Sequence, residues 1–408
     1  MMAVGDINSA EQWMNDPRHR AALAHDAHRH LDFFRPSLDP SGGFFVLDNH
    51  GAPINGAPNE IHWVTRMVHS FALAKAWGAA DCDAMIDHGM HYIWTVLRDD
   101  KHGGYFAAMR DGQIVDDTKL GYGHVFVLLA ASSAKMVGHP DADRMLTDIT
   151  QVLMDRFWDQ DHGLFYDEFA RDWSPISSYR GYNSNMHGVE ALLAAYEATG
   201  DAMYLSKAGG IVDFFVHKIA PQHAYAVPEH YTADWTPDLA YEGNPMFRPR
   251  GTTPGHSFEL ARLAIQWWDL AGRPADDTLT HARALVDAAY RDGWSEQGGC
   301  VYTLRYDGGV LTPDRYWWPV TEAIGALATL IKVDPRPQDE DLYRRIWQDA
   351  DDLFIDHENG GWFHEIDENG KPCEKQFIGR PDIYHSLQAD IFPLTTAVSN
   401  IFASLMDK

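Results

Sequence analysis

Residues 116–137 read Asp116-Asp-Thr-Lys-Leu-Gly-Tyr-Gly-His-Val-Phe-Val-Leu-Leu-Ala-Ala-Ser-Ser-Ala-Lys-Met-Val137, a mostly apolar helical stretch with polar Tyr122 close to its N-terminal end. Five further stretches repeat the design. Arg66 stands in 60–77, Asn183 and His187 in 181–199, His256 and Glu259 in 254–271, Glu322 in 315–332, and His385 in 382–405. Taking His187 and His256, successive members lie 56, 65, 69, 66 and 63 residues apart. A helix apolar on nearly every side must be buried, and a buried polar group costs free energy unless it is partnered or used. Six such helices, one per repeat, can aim their polar ends at one point.

Between these stretches a Gly-containing turn flanked by aromatic, strand-like residues recurs: Ser41-Gly-Gly-Phe-Phe, His102-Gly-Gly-Tyr-Phe, His162-Gly-Leu-Phe-Tyr, Gly298-Gly-Cys-Val-Tyr and Asn359-Gly-Gly-Trp-Phe. Three continue into a second turn, at Asp111-Gly, Asp307-Gly-Gly and Asn369-Gly, and a divergent sixth copy is expected in 222–250. These are hairpin signals. Each repeat holds a second, amphipathic helix, roughly 11–35, 81–98, 140–157, 201–218, 276–291 and 338–355. In the last of these Leu342, Ile346, Trp347, Ala350, Leu353 and Phe354 fall on one face. An amphipathic helix faces water on one side, so this set is the outer one. Six inner and six outer helices in alternation predict an all-α chain: one (α/α)6 barrel, or toroid, forming a single domain over 1–408. Short β-hairpins are expected at the N-terminal mouth of its inner helices. An open α-solenoid and two three-repeat domains are the alternatives.

Composition narrows the partners. The formal charge of −26 opposes nucleic acid and anionic membrane, which both demand a basic surface. Met1 to Ala10 lacks the basic and apolar regions of a signal peptide, and no apolar run is long enough to span a bilayer. Cys82, Cys300 and Cys373 are too few and too scattered for a disulfide frame or a zinc site, which fits a reducing cytoplasm.

Each polar residue has a bland reading. A His or Asn in a buried helix is commonly a satisfied core residue, Arg66 could merely pair two helices, and His256 and Glu259 could form an i,i+3 surface pair. The joint pattern resists that reading, because chance does not readily put polar residues near the same end of six inner helices. His256-x-x-Glu259 resembles half of a carboxylate-bridged metal site, yet no second Glu-x-x-His or His-x-Glu accompanies it. His25, His28 and His30 are expected on a solvated helix face. No Gly-x-Ser-x-Gly elbow and no Gly-rich phosphate loop is present, and no cysteine sits beside the polar set. Acid–base chemistry remains, without metal or cofactor. Trp63, Trp317 and Trp318 would offer flat faces to the C–H side of a sugar ring.

At these residues the chain resembles the N-acylglucosamine 2-epimerase superfamily, and within it the bacterial D-mannose isomerase and sulfoquinovose isomerase branch. The resemblance runs over nearly the full length. Its motifs are Thr65-Arg-Met-Val-His-Ser-Phe-Ala-Leu, Gly121-Tyr-Gly-His-Val-Phe, Asn183-Ser-Asn-Met-His-Gly-Val-Glu-Ala, Thr253-Pro-Gly-His-Ser-Phe-Glu, Trp318-Pro-Val-Thr-Glu-Ala and Asp382-Ile-Tyr-His. It implies an (α/α)6 barrel and metal-free interconversion of a free aldose with its ketose or C2 epimer, chiefly D-mannose with D-fructose and also D-lyxose with D-xylulose. By the same resemblance His256 and His385 are the proton-transfer pair, and His187 helps open the pyranose ring. Arg66, Tyr122 and Asn183 would bind sugar oxygens, Trp63 and Trp318 would stack, and Glu259 and Glu322 would orient histidines or hydroxyls. The chain departs from the pattern at His62, where relatives often have an aromatic residue, and at Met246 and Pro381, where the sulfoquinovose branch has Arg and Gln. A sulfonate would want those donors, so a neutral sugar is expected. The rivals are a 2-epimerase of the same superfamily, an (α/α)6 glycoside hydrolase using Glu259 and Glu322, and a non-catalytic binding module.

Overall fold

The computed structural model describes residues 12–407. Its helices, in chain order, are α1 (Pro17–Phe34), α2 (Ile61–Trp77), α3 (Asp83–Tyr92), α4 (Gly121–Met136), α5 (Ala142–Val152), α6 (Tyr182–Thr199), α7 (Ala202–Val212), one-turn α8 (Ala220–Gln222), α9 (Pro254–Leu270), α10 (Thr278–Gly293), α11 (Trp317–Val333), α12 (Pro337–Leu353), α13 (Tyr384–Ile391) and α14 (Ile401–Met406). α2 packs on α4, α4 on α6, α6 on α9, α9 on α11, α11 on α13, and α13 back on α2. The inner ring is therefore closed, and the open solenoid is excluded. Outside it α3, α5, α7, α10, α12 and α1 back α2, α4, α6, α9, α11 and α13 respectively. None of the helices among the described residues is long and apolar enough to cross a membrane.

The two sets differ as their side chains require. From Trp317 to Ile331 every residue of α11 except Trp318 is buried, whereas α12 buries Tyr343, Ile346, Trp347 and Ala350 and leaves Asp341 and Arg345 to solvent. α2 and α6 end at Gly78 and Gly200, whose φ of 102° and 72° is the left-handed closure that a side chain resists. α3, α5 and α7 each run on into a π-helical turn, Ile93–Leu97, Leu153–Phe157 and Asp213–Ile219, before turning toward the hairpins.

Those hairpins form where their turn residues predict. Asp111-Gly112 closes Ala108–Arg110 on Gln113–Asp116, and Asn369-Gly370 closes Glu365–Ile366 on Pro372–Cys373. The first turns are shaped by an aspartate. Asp99 accepts from the backbone N–H of Lys101, Asp159 from that of Asp161, and Asp356 from that of Glu358. The strands also lace neighbouring repeats. Asn59–Glu60, which leads into α2, pairs with Ala108–Arg110; Lys119–Leu120, before α4, pairs with Glu168–Phe169; Arg180–Gly181, before α6, pairs with His230–Tyr231; and Val310–Tyr316, before α11, pairs with Glu365–Ile366. The lacing crosses the seam of the ring too, where Arg380 N–H donates to Leu47 O at 2.9 Å.

Two expectations need correction. The stretch 382–405 is not one helix. α13 stops at Ile391, Phe392–Leu394 is a 3-10 turn, and α14 starts only after Asn400 at φ 52°. Pro393 lacks an N–H and cannot continue the α-helical ladder. His30 is not on a solvated face: unlike His25 and His28 it is fully buried, with Nδ1 on Asp390 at 3.1 Å. It shares with Ala27, Leu31 and Phe34 the face that α1 turns to α13.

Candidate active site

The inner helices present their polar residues in register. Tyr122, Asn183, Trp318 and His385 are each the second residue of their helix, as is His62 of α2, and His256 is the third of α9. His62, Tyr122, Asn183, His256 and Trp318 are partly exposed between buried chain neighbours, so they ring a solvent-accessible mouth. One turn deeper, Arg66, Phe126, His187, Glu259 and Glu322 are each the sixth residue of their helix, and all are buried. Deeper again, His69, Glu190 and Arg262 are each the ninth. The lumen is thus polar at three levels. The positive ends of the inner-helix dipoles meet at its mouth.

The imidazoles converge. His256 and His385 both lean on the Trp318 indole, with ring centroids at 5.1 and 6.0 Å. His385 Nδ1–H donates to Glu322 at 2.8 Å, and His256 Nδ1–H meets both oxygens of Glu229 at 3.0 Å. A carboxylate can only accept, so each ring carries its proton on Nδ1 and keeps Nε2 for exchange. His187 Nδ1 lies 3.4 Å from Glu259 and 3.8 Å from Glu190, and its ring stands edge-on to Tyr122. Across the lumen Arg66 donates to Asp382 at 2.8 Å and to the Tyr122 hydroxyl at 2.6 Å, with its guanidinium over the Phe126 and Tyr384 rings.

Charge is balanced beneath this set by a single guanidinium. Arg262 lies 3.0 Å from Glu322 and 3.7 Å from both Glu190 and Glu259. Three carboxylates around one cation cannot all stay ionised in a dry site. Burial, with the neighbouring Glu322, pushes Glu259 well above the usual carboxylate range. Burial opposes ionisation of Glu322 as well, but Arg262 and His385 outweigh it and hold it low. Burial also lowers His187, to about 4, against the pull of Glu190, so its ring is neutral at physiological pH. Burial would lower the Arg66 guanidinium, yet Tyr122 and Asp382 more than offset that and keep it firmly charged. His187, Glu190 and Glu259 bring ligand atoms within 4.8 Å of one another, as do Asp26, His30 and Asp390. In the first group Arg262 already stands against both carboxylates as their counter-cation.

Of the residues singled out in the sequence, Arg66, Tyr122, Asn183, His187, His256, Glu259, Trp318, Glu322 and His385 line this lumen or the level just below its mouth. Trp63 does not join them: it is buried with its ring toward Phe34 of α1, and His62 takes the mouth position. His256 and Glu259 are not partners of each other; they turn to Glu229 and His187. The residues missed are Glu229, Glu190, Arg262, Asp382 and Tyr384. Glu190 was findable, because His187-x-x-Glu190 is the second His–carboxylate spacing on an inner helix.

A lumen walled by imidazoles, carboxylates and two guanidiniums suits proton transfer on a small polar molecule. Comparison with known proteins agrees with that chemistry. The family model for N-acylglucosamine 2-epimerase (GlcNAc 2-epimerase) matches residues 42–389. The chain belongs to the N-acylglucosamine 2-epimerase family. Within that family it is 39% identical over 402 residues to a D-mannose isomerase of Pseudomonas cannabina pv. alisalensis, covering 96% of this chain and 97% of that one. It is 38% identical over 403 residues to a D-mannose isomerase of Thermobifida fusca, covering 96% and 98%. A crystal structure of a D-mannose isomerase superposes with a TM-score of 0.87 at 31% identity, over 92% of this chain and 97% of that one. The motif residues, Thr65 to His385, fall inside the span that the family model matches.

Proposed function

We propose that this chain is a sugar isomerase that interconverts D-mannose and D-fructose, acting on the free monosaccharide through a cis-enediolate. The observation that carries the reading is the pair of carboxylate-oriented imidazoles, His256 and His385, over one indole. An aldose C2–H is acidified by the neighbouring carbonyl. One neutral imidazole removes that proton through Nε2 and negative charge grows on O1; O1 then takes up the proton that the O2 hydroxyl gives up, and the carbon-bound proton returns to C1 to give the ketose. Arg66 faces that charge as a permanent cation able to donate two hydrogen bonds. Inner-helix dipoles add to the stabilisation. His187, with Glu259 beside it as a carboxylic acid, is suited to pass a proton to the ring oxygen and open the pyranose. Tyr122, Asn183 and Trp318 bind the sugar at the mouth.

D-Lyxose, which lacks only the terminal CH₂OH, fits the same scheme toward D-xylulose. A second reading, 2-epimerisation, is favoured by the family model itself: protonation of C2 from the opposite face would yield the epimer. A hydrolase using Glu259 and Glu322 is disfavoured, because both carboxylates lie beneath the imidazoles on a shared guanidinium. Three free cysteines, two of them buried, are in keeping with a cytoplasmic enzyme built as one catalytic domain. The deciding experiment is a panel of free aldoses and ketoses with products identified by NMR in D₂O. Mannose should yield fructose labelled at C1 to the extent that the transferred proton exchanges with solvent. Conversion of no free sugar, or release of reducing ends from oligosaccharides, would overturn the reading.

A further inference from the structure

Glu229 lies outside every helix and 27 residues before its partner, immediately ahead of the short strand His230–Tyr231. It is nonetheless held as firmly as a helical residue. Its backbone carbonyl accepts from Tyr182 N–H at 2.9 Å, at the start of α6. Its Oε1 accepts from Thr253 N–H at 3.2 Å, at the start of α9. The side chain is 5% exposed. So fixed, both oxygens meet Nδ1 of His256 at 3.0 Å, while the Tyr182 hydroxyl donates to the His256 carbonyl at 3.2 Å. The ring is held through its nitrogen and its backbone by the same neighbouring repeat.

We infer that Glu229 is the positioning residue of His256: it confines that ring's proton to Nδ1, and so keeps the Nε2 lone pair turned to the sugar. The carboxylates that serve the two proposed proton-transfer imidazoles are unequal. Glu322 divides its charge between His385 and Arg262. Among the described residues, Glu229 forms its ion pair with His256 alone. When His256 takes a proton from the sugar carbon, the imidazolium meets a carboxylate that no guanidinium has claimed. The arrangement also joins two jobs in one side chain, since the carboxylate that orients the base closes the N-terminus of the helix carrying it. The inference rests on the proposed role of His256 in proton transfer; Glu229 itself touches no sugar.

Glu229→Gln tests it. The amide keeps the shape and can still accept from Thr253 N–H, but its NH₂ then faces His256 Nδ1 and, as a donor, favours the tautomer protonated on Nε2. The expected result is a kcat at least about 100-fold lower, in the range of a lost general base, with KM within about threefold and an unchanged thermal midpoint. Glu229→Asp should recover part of the lost kcat, because a carboxylate is restored. Long-range ¹H–¹⁵N spectra of histidine-labelled protein read the tautomer directly: Nδ1–H at His256 in the wild type and Nε2–H in Glu229→Gln. A merely structural residue would move the melting midpoint and leave the tautomer alone. The inference is overturned if wild-type His256 is protonated on Nε2, a measurement that needs no variant to fold. It is also overturned if Glu229→Gln keeps kcat within about threefold while His256→Ala is inactive. A wild type inert toward every free sugar would instead sink the proposed function, with the nitrogen spectra still reporting on Glu229.

Discussion

Arg262 is the residue on which the lumen's charge balance turns. It is 1% exposed and serves Glu190, Glu259 and Glu322 together. Its replacement by Met would leave buried carboxylates without their cation, and breaking such a pair costs about 3–5 kcal/mol; urea unfolding of Arg262→Met should give a loss of that order. The carboxylates should answer differently to amidation. Glu259 is held as the neutral acid by burial and Glu322, so Glu259→Gln should change stability by less than about 1 kcal/mol. Glu322→Gln deletes the anion between Arg262 and His385 and should cost clearly more. His256→Ala and His385→Ala should each lower turnover by about 10²–10⁴-fold with the circular dichroism spectrum unchanged. A near-native kcat in either variant removes it from the proton-transfer pair. Much of this was legible: a His, Glu or Arg on an otherwise apolar helix announces itself. Glu229 was not, because its meaning arises only when a loop carboxylate folds onto a histidine 27 residues away. Arg262 and Glu190 lie in plain view on α9 and α6, but each sits a turn further in than the polar residues that mark those helix starts, His256 with Glu259 and Asn183 with His187.

At the level of elements, the joint between hairpin and inner helix deserves a test. His124 on α4 donates from Nδ1–H to Leu120 O at 2.7 Å and accepts at Nε2 from Tyr105 N–H at 3.0 Å, so a neutral ring ties the hairpin before α4 to the helix. Burial lowers this imidazole to about 3. The unfolded chain protonates the ring near 6.5 and the folded one only near 3, so the folded state binds fewer protons between these values. Its contribution is whole above pH 6.5 and is lost as pH falls toward 3. His124→Phe should cost about 1–3 kcal/mol at pH 7 through the two unpaired backbone groups. It should also flatten stability against pH between 6.5 and 3 by up to about 1.4 kcal/mol per pH unit. Urea titrations at several pH values read both. Close approach of the helices matters as well. A Cβ on Gly123 would come 2.5 Å from Ile61 Cγ2, so Gly123→Val should pry α4 from α2 at the mouth and cost about 1–3 kcal/mol. The helices and second turns were readable because amphipathic and all-apolar periodicities differ and because Asn-Gly and Asp-Gly close hairpins. The end of α13 was hidden by the apolar run beyond it, although Pro393 gave the warning.

For the whole molecule, closure of the ring through α13 and α2 was foreseeable only as a count of six, since no local signal says that the last helix meets the first. The formal charge of −26 is another global property. Self-repulsion of the excess carboxylates is long-ranged, and the screening length falls from about 30 Å at 0.01 M salt to about 8 Å at 0.15 M. Raising salt across that range should raise the melting midpoint by a few degrees; a fall would mean that the surface ion pairs outweigh the net field. The three-level lumen bears on traffic as well as chemistry. Its deepest level is filled by Arg262 over Phe392 and by His69 bound to Ser133 and Gln388, which makes the chamber a cul-de-sac. Aldose and ketose must then use one doorway and cannot queue inside. Each excludes the other from the vestibule, and accumulated fructose should slow mannose consumption by simple competition, its inhibition constant matching its own Michaelis constant in the reverse direction when chemistry is the slow step.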